Sequence, residues 1–194
     1  MSVVGILLAA GRSVRFGSED KLLADLRDRP LIWHAATALA DAGCDRLVAV
    51  TTQSSVANIL KEYEIIQFDR PSLMQSDSLR AAISRAGDLD AEGALIALAD
   101  MPLITVETLR RVLERGRMHG ISAVTDGRRR MPPAYFHKGI FPELLKTDGD
   151  RGARSLIAQI ATETCIEVPE EELIDVDELG DLERARSEFR RRET

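Results

Sequence analysis

The chain has 194 residues, 44% of them hydrophobic, enough for one domain spanning 1–194 with a substantial core. Its formal net charge of -6 argues against a nucleic-acid binder, which usually carries a basic face. The apolar run at the start is of strand length and lacks a basic leader, so neither a secretory signal nor a membrane span is expected, and a cytoplasmic location is.

In chain order, Val3-Val4-Gly5-Ile6-Leu7-Leu8-Ala9 is a continuous apolar run that suits a strand buried on both faces. Gly11 ends it. The loop from 10 to 20 has no helical period, and Leu22, Leu23 and Leu26 are expected to anchor its far end. Pro30 opens a helix over 31–42, with Gly43 as its C-terminal cap; Trp33 on this helix is expected in the core. A strand is predicted over 46–51, then a short helix to 60 capped by Ser54 or Ser55. A weaker strand over 65–68 and a helix over 76–86 follow, the helix showing Leu79, Ala82, Ile83 and Ala86 on one face. Ala94-Leu95-Ile96-Ala97-Leu98-Ala99 is a second continuous apolar run, ending in Asp100-Met101-Pro102. Thr105 caps a helix to about 119, and 121–125 reads as a strand. Residues 126–133 read as a loop before extended chain at 134–137. Helices are expected at 144–145 and 154–160, edge pieces at 167–168 and 174–176, and a closing helix over 181–191.

Strands alternating with helices imply an α/β fold with a mostly parallel sheet. In such sheets ligands bind beyond the carboxyl ends of the strands. Gly11 and Asp100 both stand there, after the two most apolar strands. The spacing from Gly11 to Gly17 fits neither a P-loop nor a dinucleotide-binding fingerprint. The ingredients of a triphosphate cradle are nevertheless present: backbone N–H groups at Gly11, Arg12 and Ser13, and cationic side chains at Arg12, Arg15 and Lys21. Asp100 offers the carboxylate that a hard cation bridging phosphates requires, although aspartate before proline also forms turns. Arg128-Arg129-Arg130 either guides an anionic acceptor or is a solvated loop. His34, His119 and His137 have no ligand spacing. Cys44 and Cys165 read as buried or indifferent thiols of a reducing compartment.

Four segments in order carry a resemblance. Leu8-Ala9-Ala10-Gly11-Arg12-Ser13-Val14-Arg15-Phe16-Gly17 with Lys21-Leu22-Leu23 resembles the pattern LAAGxSxRMGxxKxLL. Leu98-Ala99-Asp100-Met101-Pro102 resembles GDMP, and Gly149-Asp150-Arg151-Gly152-Ala153-Arg154 resembles GDxGAR. Ile174-Asp175-Val176-Asp177 with Asp181-Leu182 resembles DIDTPEDL. These patterns belong to the molybdenum cofactor nucleotidyltransferases, and the Ala10-Gly11 pair is similar to the cytidylyltransferase branch.

The resemblance implies a three-layer, Rossmann-like nucleotidyltransferase fold with a mostly parallel central sheet. It implies Mg2+-dependent transfer of a nucleotide from CTP to a phosphorylated pterin, with release of pyrophosphate. A molybdoenzyme would receive the product; nucleic acid and membrane would not be partners. By the same resemblance Leu8, Ala9, Ala10, Gly11, Arg12, Ser13, Lys21, Ser76 and Ser78 bind the nucleotide. Arg15, Lys21 and Asp100 serve catalysis, and Asp100 and Asp175 the metal, with Asp177 and Asp150 as further metal candidates. Pro133, Asp150 and Arg154 face the acceptor. Two segments depart from the pattern. Residues 74–78 lack the glycines of GMGSSLR and add Asp77, and 131–133 keeps only the last residue of GHP. Cytidylyl or guanylyl transfer to a sugar or polyol phosphate, and a non-catalytic nucleotide-binding chaperone or regulatory module, therefore remain alternatives.

Overall fold

The computed structural model describes residues 2–11, 16, 20–69, 74–149 and 153–192. Seven strands form one sheet in the order β3-β2-β1-β4-β6-β5-β7. They are β1 (Val3–Ala9), β2 (Arg46–Thr51), β3 (Glu64–Gln67), β4 (Gly93–Leu98), β5 (Ile121–Thr125), β6 (Arg130–His137) and β7 (Cys165–Glu167). The helices are α1 (Leu31–Ala40), α2 (Ser54–Ala57), α3 (Gln75–Asp88), α4 (Val106–His119), α5 (Phe141–Leu145), α6 (Arg154–Ile157) and α7 (Leu179–Arg192).

β1 lies inside the sheet, parallel to β2 on one side and to the central strand β4 on the other. Both of its faces are covered, so its side chains divide by the strand period of two. Val3, Leu7 and Ala9 join a core with α1, α4 and α7 through Leu31, Leu109 and Leu182. Val4, Ile6 and Ala10 join the opposite core with α3 and α5 through Leu79, Ile83 and Leu144. Helices on both faces make the three layers. Every pairing in the sheet is parallel except those of β6, which runs antiparallel to both β4 and β5. Reversal of β6 brings its first residues level with the carboxyl end of β4.

Several expectations change. Residues 130–133 belong to β6 rather than to a loop, because β5 supplies partners for Arg130 and Met131 through Thr125 and Val124. The register on β5 jumps between Ala123, opposite Ala134, and Val124, opposite Met131, so Pro132 and Pro133 bulge. The Pro132–Pro133 bond is cis. Residues 174–176 form no strand. Trp33 is not a core residue: it is 37% exposed, with the Arg29 guanidinium 5.2 Å above its ring. Its helix turns Leu31, Ile32 and Ala35 inward instead. Leu22 and Leu26 are buried as anchors, but Leu23 is exposed. Short helix α2 starts at Ser54 on Gln53, without a side-chain cap. Both cysteines are free thiols; burial pushes the Cys44 thiol up to about 12. Among the described residues, no helix is long and apolar enough to cross a membrane.

The tightest packing surrounds Tyr135 of β6, 1% exposed. A Cβ at Gly116 of α4 would lie 2.2 Å from its Cδ1, and one at Gly93 of β4 would lie 2.2 Å from its Oη. The two glycines let α4 and β4 close on the ring. Gly116→Ala should therefore destabilise the protein: overpacking costs about 1–3 kcal/mol, more than the ~1 kcal/mol that alanine contributes to a helix. Urea denaturation measures this, and an equal or raised midpoint would refute it.

His34 supplies a pH dependence. Its Nε2 donates to the Leu26 carbonyl at 2.8 Å, and the ring packs against Trp33 and Phe189. Burial lowers its pKa below the ordinary 6.5, helped by Arg27 and opposed by the Leu26 hydrogen bond and Asp25. The folded state thus prefers the neutral ring. Its contribution is present above the unfolded pKa and is lost as pH falls through the lower folded value. Acidification below about 6.5 should cost the wild type more stability than His34→Gln, measured as the difference in urea midpoints across that range.

Candidate functional site

The site lies above the carboxyl ends of β1 and β4. After β1 come Ala10, 9% exposed, and then Gly11. After β4, the Ala99 amide donates to the Leu8 carbonyl at 3.1 Å, which sets Asp100 beside the end of β1. Lys21 begins a single 3-10 turn, Lys21–Leu23, whose preceding residue Asp20 accepts from the Leu22 amide at 3.0 Å. This turn aims the lysine back toward β4. Its Nζ donates to Asp100 Oδ2 at 2.8 Å and to Asp177 Oδ1 at 2.7 Å. Burial alone would lower the Lys21 pKa; the Asp100 and Asp177 carboxylates outweigh it and hold the ammonium above its ordinary value.

Asp175 completes the group. Carboxylate oxygens of Asp100, Asp175 and Asp177 lie within 4.8 Å of one another. Although Asp175 keeps contact with solvent, its carboxyl is pushed up to about 7, first by partial burial and then by the Asp100 and Asp177 charges, with Lys21 pulling the other way. Three crowded carboxylates of this kind could hold a hard divalent cation, which takes oxygen ligands.

Residues 174–178 have no regular secondary structure, and hydrogen bonds from several elements hold them. The Val176 amide donates to the Asp100 carbonyl at 2.9 Å. Asp181 at the start of α7 accepts from the Asp177 and Glu178 amides, each at 3.1 Å. Just upstream, Glu172 Oε2 accepts from Thr105 Oγ1 at 3.2 Å and Thr108 Oγ1 at 2.8 Å. Thr105 is also the N-cap of α4, accepting from the Thr108 amide at 3.1 Å. The sequence motifs pointed to Lys21, Asp100 and the acidic residues of 174–177, but gave no sign of Glu172. Its signal is spatial, since Thr105 and Glu172 lie 67 residues apart.

Helix α3 forms a second wall. Ser76 and Ser78 lie buried in its first turn. Among the described residues, Ser76 Oγ is the one buried side-chain polar atom with no hydrogen-bond partner. Asp77 does not stand as a bare charge: it pairs with Arg80 and accepts from the Met74 amide at 3.2 Å. Arg80 in turn donates to the Thr147 carbonyl at 3.0 Å, beside the start of the 149–154 segment. Pro133 is buried in the β6 bulge, and Arg154 opens α6 as an exposed side chain outside the carboxylate group. Arg12, Ser13, Arg15 and Asp150 lie outside the described residues.

A glycine-ended inner strand, a carboxylate after its parallel neighbour and helices on both faces define the Rossmann-like nucleotidyltransferase class. The family is specific: residues 5–164 match the MobA-like NTP transferase domain, and the chain belongs to that family. The protein is a nucleotidyltransferase of this MobA-like kind. It is 33% identical to nicotine blue oxidoreductase of Paenarthrobacter nicotinovorans, over 81% of this chain and 82% of that one. It is 26% identical to the molybdenum cofactor guanylyltransferase of Shewanella loihica, over 83% and 82% respectively. Among solved structures it resembles Rv0371c of Mycobacterium tuberculosis H37Rv, with a TM-score of 0.81, 26% identity and coverage of 96% and 99%. A manganese complex of Rv0371c superposes with a TM-score of 0.77 at 24% identity, over 96% of this chain and 99% of that one.

Glu172→Ala should loosen the acidic segment without touching its carboxylates. It removes the acceptor for two partly buried hydroxyls, a cost of about 1–3 kcal/mol, and should speed hydrogen exchange at the Val176 amide. Unchanged exchange at Val176 would mean that Glu172 does not hold this segment.

Proposed function

We propose that this protein transfers CMP from CTP to a phosphorylated pterin and releases pyrophosphate, with Mg2+ as its metal. The observation that carries nucleotidyl transfer is the meeting of Lys21, Asp100, Asp175 and Asp177 just beyond the end of β1, where the glycine loop begins. Cytosine as the base is supported by the resemblance of Ala10-Gly11 to the cytidylyl branch; Ala10 packs in the apolar cluster that also holds Leu79 and Ala82 of α3. The unpartnered Ser76 hydroxyl on that helix supports a nucleotide contact there, with Ser78 beside it.

In this reading Asp100, Asp175 and Asp177 would hold the metal, which would supply Lewis-acid polarisation of the phosphates. The backbone around Gly11, Arg12 and Ser13 holds the triphosphate, and Arg15 and Lys21 balance charge on the departing pyrophosphate. Pro133, Asp150 and Arg154 face the acceptor. An acceptor phosphate oxygen attacks the α-phosphorus in line. The new P–O bond forms as the bond to the β-phosphate bridging oxygen breaks, and the electron pair leaves with pyrophosphate. The nucleophile is anionic near neutral pH, so positioning and charge neutralisation suffice without a general base. A molybdoenzyme in the cytoplasm would be the recipient of the product.

A guanylyltransferase is the second reading, favoured by the Shewanella relative. A thermal-shift panel of nucleoside triphosphates with and without Mg2+ separates the two, since a ligand bound to the native state alone raises stability by about 2.7 kcal/mol at 100 times its Kd. CTP should stabilise the wild type selectively and only with Mg2+, and Asp100→Ala should lose both that response and pyrophosphate release. Selective stabilisation by GTP would move the assignment to the second reading; an Asp100→Ala variant with full activity would remove the metal role.

A further inference from the structure

Lys21 makes ion pairs with oxygens of two carboxylates in the group that could hold a cation. Its Nζ lies 2.8 Å from Asp100 and 2.7 Å from Asp177, and its side chain is 4% exposed. Three carboxylates against one ammonium leave an excess of negative charge, which attracts a divalent cation. Yet the two carboxylates that accept hydrogens from Lys21 are among the three a cation would use, and two positive charges in one small space repel. A triphosphate changes this balance. It brings several anionic oxygens to the same strand ends and offers the ammonium other acceptors of equal strength.

We propose that Lys21 and the divalent cation compete for Asp100 and Asp177, and that the nucleotide resolves the competition by drawing Lys21 onto its phosphates. The lysine is then a built-in stand-in for the metal. Cation and nucleotide are taken up together, and the metal binds weakly before the triphosphate arrives. This rests on the metal role of Asp100 proposed above and adds an order of binding to it. The lysine contributes twice to one cycle: it neutralises the carboxylates before nucleotide binds and the phosphates afterwards.

The test is Mn2+ binding to the full chain without nucleotide, followed by electron paramagnetic resonance. Lys21→Met should bind Mn2+ about tenfold more tightly than the wild type, within the usual 5- to 150-fold range of coupling between sites. It should also lose affinity for CTP. A folded Lys21→Met protein that binds Mn2+ no better than the wild type, while Asp100→Asn loses Mn2+ binding, would overturn the competition and leave the metal site standing. Asp100→Asn with undiminished Mn2+ binding would overturn the metal site itself, and the competition with it. Should Lys21→Met fail to fold, nitrogen-detected NMR of the wild-type lysine side chains decides. The shielded Lys21 ammonium signal should change when Mg2+ is added with a non-hydrolysable CTP analogue. A signal unchanged with both ligands bound would overturn the proposal.

Discussion

A buried ammonium held between Asp100 and Asp177 is the constraint around which the top of this molecule is arranged. A charge out of water is tolerated only with partners, and losing one partner of a fully buried pair costs about 3–5 kcal/mol. The cost is smaller here, because the Asp177 side chain is 51% exposed. The pairing joins three distant stretches of chain: the turn after the glycine loop, the end of β4 and the acidic segment before α7. Those stretches also carry the residues that nucleotidyl transfer would use. Ion pairing and local order therefore share one set of side chains.

The scaffold beneath is what makes that pairing possible. Parallel strands β1, β2 and β4 end on the same edge, so the residues that follow them gather there. The reversed strand β6 adds its own beginning to this edge and places the Pro132–Pro133 bulge near the end of β4. Tyr135, clasped by Gly93 and Gly116, locks β6 to β4 and α4. The starts of α3 and α4 face the same edge and supply Ser76 and the Thr105–Glu172 clamp. A rigid base thus carries a site built largely on loops, the usual division between stability and function.

Two departures from the family pattern acquire a physical meaning. Asp77 stands in the first turn of α3, where Arg80 and the Met74 amide absorb its charge. The same Arg80 reaches the Thr147 carbonyl, which ties the first turns of α3 to the loop after α5. In the altered 131–133 segment Met131 pairs with Val124 and Pro132 and Pro133 form a strand bulge, where the sequence predicts a loop.

The sequence by itself determined most strands and most helices, because continuous apolar runs such as 3–9 and 94–98 and capped amphipathic stretches such as 105–119 encode local structure directly. It also marked Gly11, Lys21 and Asp100, since residue type and position after a strand are local facts. Only the tertiary structure decided that Lys21 lies on Asp100 and Asp177, that Asp175 joins them, and that Glu172 holds their segment. Those relations cross 79 to 156 residues of chain for Lys21 and 64 to 67 for Glu172. Trp33 and residues 130–133 were misread for the same reason: burial and strand pairing depend on neighbours that no local pattern names. Whether a charge is solvated, paired or poised for a ligand is a property of the space around it, and that space exists only once the chain has folded.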